Sequence, residues 1–189
     1  MSTGFLSLFA VVSAPAEAVI TEIEDPPHDY RKRPLHDPFT TRLPDLISGK
    51  IPLDRSSEKA FVASLLQALE IPVSSQMLVF STTSLQLSLI SPSNPRALYF
   101  NEEVYLGHVP GGRVEIVSLD PDLGGIFYIF DVPRGDRPLS VERSERCMNC
   151  HSRDDTGQVP GLVVKSVIPG PGGVSLTAHR LGVSGHGIP

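Results

Sequence analysis

The sequence predicts an α+β fold: an antiparallel β meander with one packed helix and a C-x-x-C-H segment near the C-terminus. Three observations predict it. Phe61, Val62, Leu65, Leu66 and Leu69 form an apolar stripe at helical spacing. Short apolar runs separated by Gly/Pro turns fill residues 77–130. Eighteen prolines and 16 glycines in 189 residues imply many turns and long connections, which disfavours a helix bundle. At this length one domain is expected, and a hydrophobic share of 40% with 20% charged residues suffices for a packed core. The net charge of −5, with no basic block, gives nothing for nucleic acid or an acidic membrane surface to grip.

Taken in order, residues 1–18 read as a secretory leader. Phe5 to Ala14 is an apolar core too short to span a bilayer, and Ala16-Glu17-Ala18 fits an A-x-A cleavage site, although Met1 to Gly4 lacks the usual Lys or Arg. No other segment reads as a membrane span. Residues 19–50 mix proline with charge and read as an irregular lead-in, and residues 51–189 as a single domain. A helix is expected from about Ser56 to Glu70, capped by Asp54 or Ser56, with Glu58 in its first turn and Ile71-Pro72 ending it. Met77 to Phe80 reads as a short buried strand, followed by a strand at Ala97 to Phe100. Val104 to Val109 and Val114 to Leu119 flank Pro110-Gly111-Gly112-Arg113 and predict a hairpin. The turn Asp120 to Gly125 then leads into Ile126 to Phe130, and one further strand is expected at Leu162 to Val167.

Cys147-Met148-Asn149-Cys150-His151 contains both cysteines of the chain. C-x-x-C-H is the attachment pattern of c-type haem: each thiol adds across a vinyl group to give a thioether, and the adjacent imidazole meets the iron. Two cysteines placed at random in a chain of this length fall three apart in about one case in a hundred. Other readings of the motif are a thioredoxin-like redox pair, a zinc site and a structural disulfide. The first normally follows a buried strand, whereas Leu139 to Arg146 is polar. The second needs a fourth ligand, and no second cysteine pair exists to supply it. The third would close a very small loop.

The expected cofactor is therefore one covalent haem c, with Cys147 and Cys150 as anchors and His151 as the proximal iron ligand. The sixth position is open to His108, His179 or His186, or to none of them. His28 and His36 read as loop residues, Met77 as core filler, and Met148 as too tightly tethered to cross the macrocycle. Arg143, Arg146 and Arg153 bracket the motif as propionate partners, or as a solvated flank balancing Glu142, Glu145, Asp154 and Asp155.

Met77-Leu78-Val79-Phe80-Ser81-Thr82-Thr83-Ser84-Leu85-Gln86, Ile90-Ser91-Pro92, Asn94 to Asn101, Val104-Tyr105-Leu106-Gly107, the late C-x-x-C-H, Pro160-Gly161 and Ser166 to Pro169 resemble a family of bacterial cytochrome c domain-containing proteins. The resemblance covers roughly residues 70 to 170 and implies haem binding and electron transfer. Members of that family continue into a His-containing stretch, to which His186 corresponds, and a tryptophan-rich segment. This chain has no tryptophan and is expected to be shortened relative to them. In architecture alone it is also similar to mono-haem cytochromes that oxidise hydroxylamine. The sequence thus predicts an exported mono-haem c-type protein that transfers single electrons to a redox partner it does not name. The alternatives are a haem enzyme or gas sensor with an open distal site, and a non-haem dithiol protein.

Overall fold

The computed structural model describes residues 23–26, 28–163 and 170–174. Its centre is a six-stranded sheet in sequence order, every neighbouring pair antiparallel. The strands are β1 (Met77–Val79), β2 (Arg96–Phe100), β3 (Val104–His108), β4 (Val114–Asp120), β5 (Gly124–Phe130) and β6 (Glu142–Arg143). Helices α1 (Pro38–Ile47) and α2 (Glu58–Ala68) precede them, and a single short turn of helix, α3 (Met148–His151), follows. The expected α+β meander is therefore present, with two packed helices in place of one.

The hairpin Val104–His108/Val114–Asp120 forms about the Pro110-Gly111-Gly112 turn as its composition requires. Along β4, residues alternate strictly between buried and half-buried. The buried set Val114 and Ile116 joins Val104, Leu106, Ile126, Tyr128 and Phe130 in a core beneath Phe39, Leu46, Phe61, Leu65 and Leu66 of the two helices. Helix α2 starts two residues later than expected, at Glu58, with Ser57 rather than Asp54 or Ser56 as cap, accepting from the Ala60 N–H at 3.1 Å. It ends at Ala68, and Glu70 takes a left-handed φ of 57°, so the stop comes just ahead of Pro72.

Helix α1 corrects the expectation of an irregular stretch over residues 19–50. Two prolines, Pro38 and Pro44, hide its apolar spacing of Phe39, Leu43 and Leu46, yet Asp37-Pro38 is a cap followed by proline at the first helical position. The Asp37 carboxylate is fully buried. One oxygen accepts from the Phe39 and Thr40 N–H groups, both at 3.1 Å, and the other accepts from the Tyr128 hydroxyl at 2.7 Å. Burial first, then the neighbouring Asp37 carboxylate, hold the Tyr128 phenol protonated far above its ordinary range. The lead-in before α1 is also tied down: Tyr30 is buried and donates its hydroxyl to the Gly125 carbonyl at 2.8 Å.

The run Met77 to Phe80 is the second correction. It does form β1 over Met77–Val79, but as an edge strand, with Met77 50% and Leu78 48% exposed. A continuous apolar run cannot distinguish a central strand from an edge. The strand expected over Leu162 to Val167 is absent at Leu162 and Val163, and its remainder lies outside the described residues. No helix among the described residues is long and apolar enough to cross a membrane.

Because Asp37 joins the start of α1 to the middle of the sheet, Asp37→Ala should cost about 2–4 kcal/mol, a lost cap plus a stranded buried hydroxyl. Tyr128→Phe, which leaves both caps in place, should cost clearly less; urea denaturation of the two variants measures the difference.

Candidate functional site

Strand β5 is buried on both faces. Ile126, Tyr128 and Phe130 face the helices, so alternation turns Phe127 and Ile129 to the other side. That second side meets the C-x-x-C-H segment. Strand β6 pairs with β5 through Tyr128↔Arg143 and Ile129↔Glu142, and the Ser144 N–H continues the ladder to the Phe127 carbonyl at 2.8 Å. The chain then tightens into a 3-10 turn at Glu145–Cys147 and into α3. The His151 ring lies against the Phe127 ring, centroids 4.7 Å apart. Met148 packs against the margin of the helix-side core, so the motif straddles the sheet edge.

Packing rather than charge holds it there. The ion pair Arg31–Glu145 reaches the segment at 2.8 Å, but its side chains are 56% and 62% exposed, a setting worth at most about 1 kcal/mol. Burial of Phe127 is worth about 1.5–3 kcal/mol. Arg143 adds its guanidinium over the Tyr30 ring, 4.5 Å from the centroid, and donates to the Tyr30 carbonyl at 2.7 Å.

Cys147 and Cys150 stand three apart on one helical turn, both as free thiols, the first half-buried and the second exposed. The disulfide reading is thus not the arrangement found. Burial pushes the Cys147 thiol up, with Glu115, Cys150 and Glu142 adding to it against a hydrogen bond from Ser144. A redox-active C-x-x-C depends on a depressed thiol, so this environment works against the thioredoxin-like reading. Among the described residues no group of three or more His, Cys, Asp or Glu side chains gathers as a metal site.

His151 is held from behind. Its Nδ1 lies 2.9 Å from the Gly161 carbonyl oxygen. A carbonyl only accepts, so Nδ1 carries a proton, and in the neutral ring Nε2 then holds the lone pair. A metal-binding histidine is usually oriented by this kind of contact. The Gly161 N–H returns the bond to the His151 carbonyl at 3.0 Å. The preceding carbonyl, of Pro160, accepts from Gly125 N–H at 2.9 Å at the start of β5. Gly124 makes that approach feasible, because its φ is +76° and a Cβ there would sit 2.4 Å from the Pro160 oxygen. Gly124 and Pro160 did not stand out in the sequence as site residues; the Gly124-Gly125 pair was the available signal, and it read only as a turn. Two free thiols on one turn, followed by an imidazole with its lone pair preserved, fit the anchors and proximal ligand of a c-type haem.

Of the distal candidates, only His108 falls among the described residues, and it is not brought to this place. His108 shares its sheet face with its partner Val114, the helix-covered face, whereas Phe127 and His151 meet on the opposite one. His108 lies instead 2.8 Å from Glu58 of α2, off the line of a hydrogen bond. Met77 is on β1, at the far edge of the sheet from the motif. His179 and His186 lie outside the described residues. Of the arginines, Arg143 is engaged with Tyr30, Arg153 donates to the Asn149 carbonyl at 3.1 Å, and Arg146 is exposed.

Two outcomes follow from this geometry. Gly124→Ala should cost about 2–3 kcal/mol through its left-handed backbone and its collision with the Pro160 carbonyl. Nitrogen chemical shifts of His151 should then lose their bias toward the Nδ1–H tautomer. For His108, burial holds the imidazole below the ordinary value of 6.5, with Glu58 opposing in part. The unfolded chain therefore takes up a proton first as the pH falls below about 6.5, and stability declines through that window. His108→Gln should flatten that part of the stability–pH curve in thermal melts.

In comparisons with known proteins, no family model, no curated protein and no solved structure matches this chain.

Proposed function

We propose that this chain is an exported c-type mono-haem protein that transfers single electrons to a redox partner, in keeping with the cytochrome c domain-containing family it resembles. The observation that carries the reading is the His151 clamp beside two free thiols: Nδ1–H is committed to the Gly161 carbonyl at 2.9 Å, and Cys147 and Cys150 share one turn with it. When bound, the haem supplies an iron that cycles between its ferric and ferrous forms. The chain does the rest. Cys147 and Cys150 would anchor the macrocycle, each S–H adding across one vinyl double bond. His151 would offer Nε2 to the metal, and the Gly161 carbonyl fixes that ring's orientation. Phe127 and Ile129 exclude water from the sheet side of the motif. The apolar run Phe5 to Ala14 before Ala16-Glu17-Ala18 supports export, which suits attachment of c-type haem outside the bacterial plasma membrane.

A second reading, a haem enzyme or gas sensor with an open distal site, draws on the placement of His108 on the far face of the sheet and Met77 at its far edge.

Co-expression with cytochrome maturation machinery tests both. A pyridine haemochrome band of the two-thioether type is expected, with the Cys147–His151 peptide heavier by one haem. Cys147→Ala or Cys150→Ala should shift the band toward a single thioether, and the double variant should release the haem on acid–acetone extraction. A low-spin spectrum indifferent to carbon monoxide supports the carrier, and a high-spin spectrum that responds to it supports the second reading. Colourless protein with both thiols free defeats the two together.

A further inference from the structure

Residues 71–95 contain no Asp, Glu, Lys, Arg or His, in a chain that carries 16 basic and 21 acidic residues. This uncharged stretch builds β1 and the loop that leads to β2. Among the described residues β1 has β2 as its only sheet neighbour. Two cross-strand rows run out to it. Phe130, Val114, His108, Ala97 and Leu78 lie on the helix-covered face, and Ile129, Glu115, Gly107, Leu98 and Met77 on the other. The first row starts fully buried at Phe130 and ends half-exposed at Leu78, so the cover given by α1 and α2 stops short of this edge. Met77, at the end of the second row, is half-exposed too. The loop extends the apolar surface. Leu85, Leu87 and Leu89 stand at alternate positions and are exposed, whereas Gln86 and Ile90 are buried. Gln86 accepts from the Arg113 N–H and donates to the Arg113 carbonyl at 3.0 Å. Asn94 donates to the Leu89 and Pro110 carbonyls at 2.8 and 3.4 Å. These bonds pin the loop to the β3–β4 turn, so the leucines are displayed from a fixed backbone. With Phe80, six large apolar side chains on β1 and its loop are each more than a third exposed.

Edge strands are ordinarily guarded against pairing by a charged side chain, a proline or a bulge, and β1 carries none of the three. We propose that this edge is a self-association surface, on which β1 of a second copy adds antiparallel to β1 about a two-fold axis. The occupant follows from charge and symmetry. Two copies of a chain with net charge −5 repel one another, and they meet at least electrostatic cost where neither carries charge. A patch without ionisable groups also offers a charged partner nothing to pair with. Antiparallel addition of a strand to its own copy is what a two-fold axis produces, so one patch serves as both halves of the contact. Centred on Leu78, the pairing sets that residue opposite its counterpart. Three residues give a short ladder, so Phe80 and the three leucines supply most of the apolar burial. The C-x-x-C-H segment lies at the opposite edge, beside β5 and β6. The contact leaves that segment open in both copies, and the inference is independent of what it binds.

Sedimentation velocity of the full chain, in reducing buffer so that Cys150 forms no cross-link, reads the outcome. A dimer that dissociates on dilution is expected, with a dissociation constant that does not rise with salt, since no ion pair holds the contact. Leu78→Lys sets like charges opposite each other and should weaken the dimer about tenfold or more. Leu87→Glu, in the loop, should weaken it by less. Mixing Leu78→Lys with Leu78→Glu should restore a dimer of the two, an outcome that a misfolded variant cannot give. Amide exchange at Met77 to Phe80 should slow as the protein concentration rises. A chain that stays monomeric at high micromolar concentration overturns the proposal, whether those amides prove protected by another part of the same chain or the patch binds neutral phosphatidylcholine vesicles. A dimer that withstands both Leu78→Lys and Leu87→Glu overturns it as well, because its contact then lies elsewhere.

Discussion

A strand that is apolar on both sides must be covered on both sides, and β5 imposes that requirement on the whole molecule. Ile126, Tyr128 and Phe130 bury against α1 and α2. Phe127 and Ile129, pointing the other way, are equally buried, although neither α1 nor α2 packs over that side. The segment after β6 supplies part of their cover. The C-x-x-C-H turn is therefore not a free appendage: the sheet needs it to shield Phe127, and in return the sheet fixes where the two thiols and the imidazole stand.

The return path closes the arrangement. After α3 the chain folds back through a 3-10 turn at Asp154–Thr156, seats the Pro160 carbonyl on the Gly125 N–H, and offers the Gly161 carbonyl to His151. Gly124 and Gly125 thus act twice. They end the β4–β5 turn with a left-handed residue, and they leave room for a backbone that would collide with any side chain at position 124. On the other face of the sheet Asp37 has the comparable task, binding the start of α1 to Tyr128. Both joints use backbone N–H or C=O groups against a buried partner. These bonds do not weaken with salt as the exposed ion pairs Arg31–Glu145 and Arg33–Asp122 do.

Where residues follow a local period, the sequence was legible. The stripe of α2 and the β3–β4 hairpin are strong repeats bounded by clear turn residues, and they appear almost where the pattern puts them. Helix α1 was obscured because proline is both a breaker and a favoured first residue, and only the Asp37-Pro38 pairing separates the two uses. Met77 to Phe80 misled because apolarity does not report whether a strand has one neighbour or two. At the candidate site, the cysteines and His151 were visible from spacing alone. Gly161 and Gly124 were not, since each matters through a contact with a residue distant from it in sequence. The face on which His108 lies likewise follows from register, which the local pattern does not supply.

The environment of Cys147 bears on which chemistry suits the motif. A nucleophilic dithiol gains from a cation, or from the N-terminus of a long helix, to stabilise its thiolate. Cys147 stands at the start of a four-residue turn, and burial first, then the charges of Glu115 and Glu142, oppose its ionisation. Those features keep it a neutral thiol. A thioether carries no charge in any state, so the same acidic, partly desolvated pocket that penalises a thiolate imposes no such penalty on a sulfur bonded to carbon. Burial costs the redox pair its reactivity and costs the covalent anchor nothing.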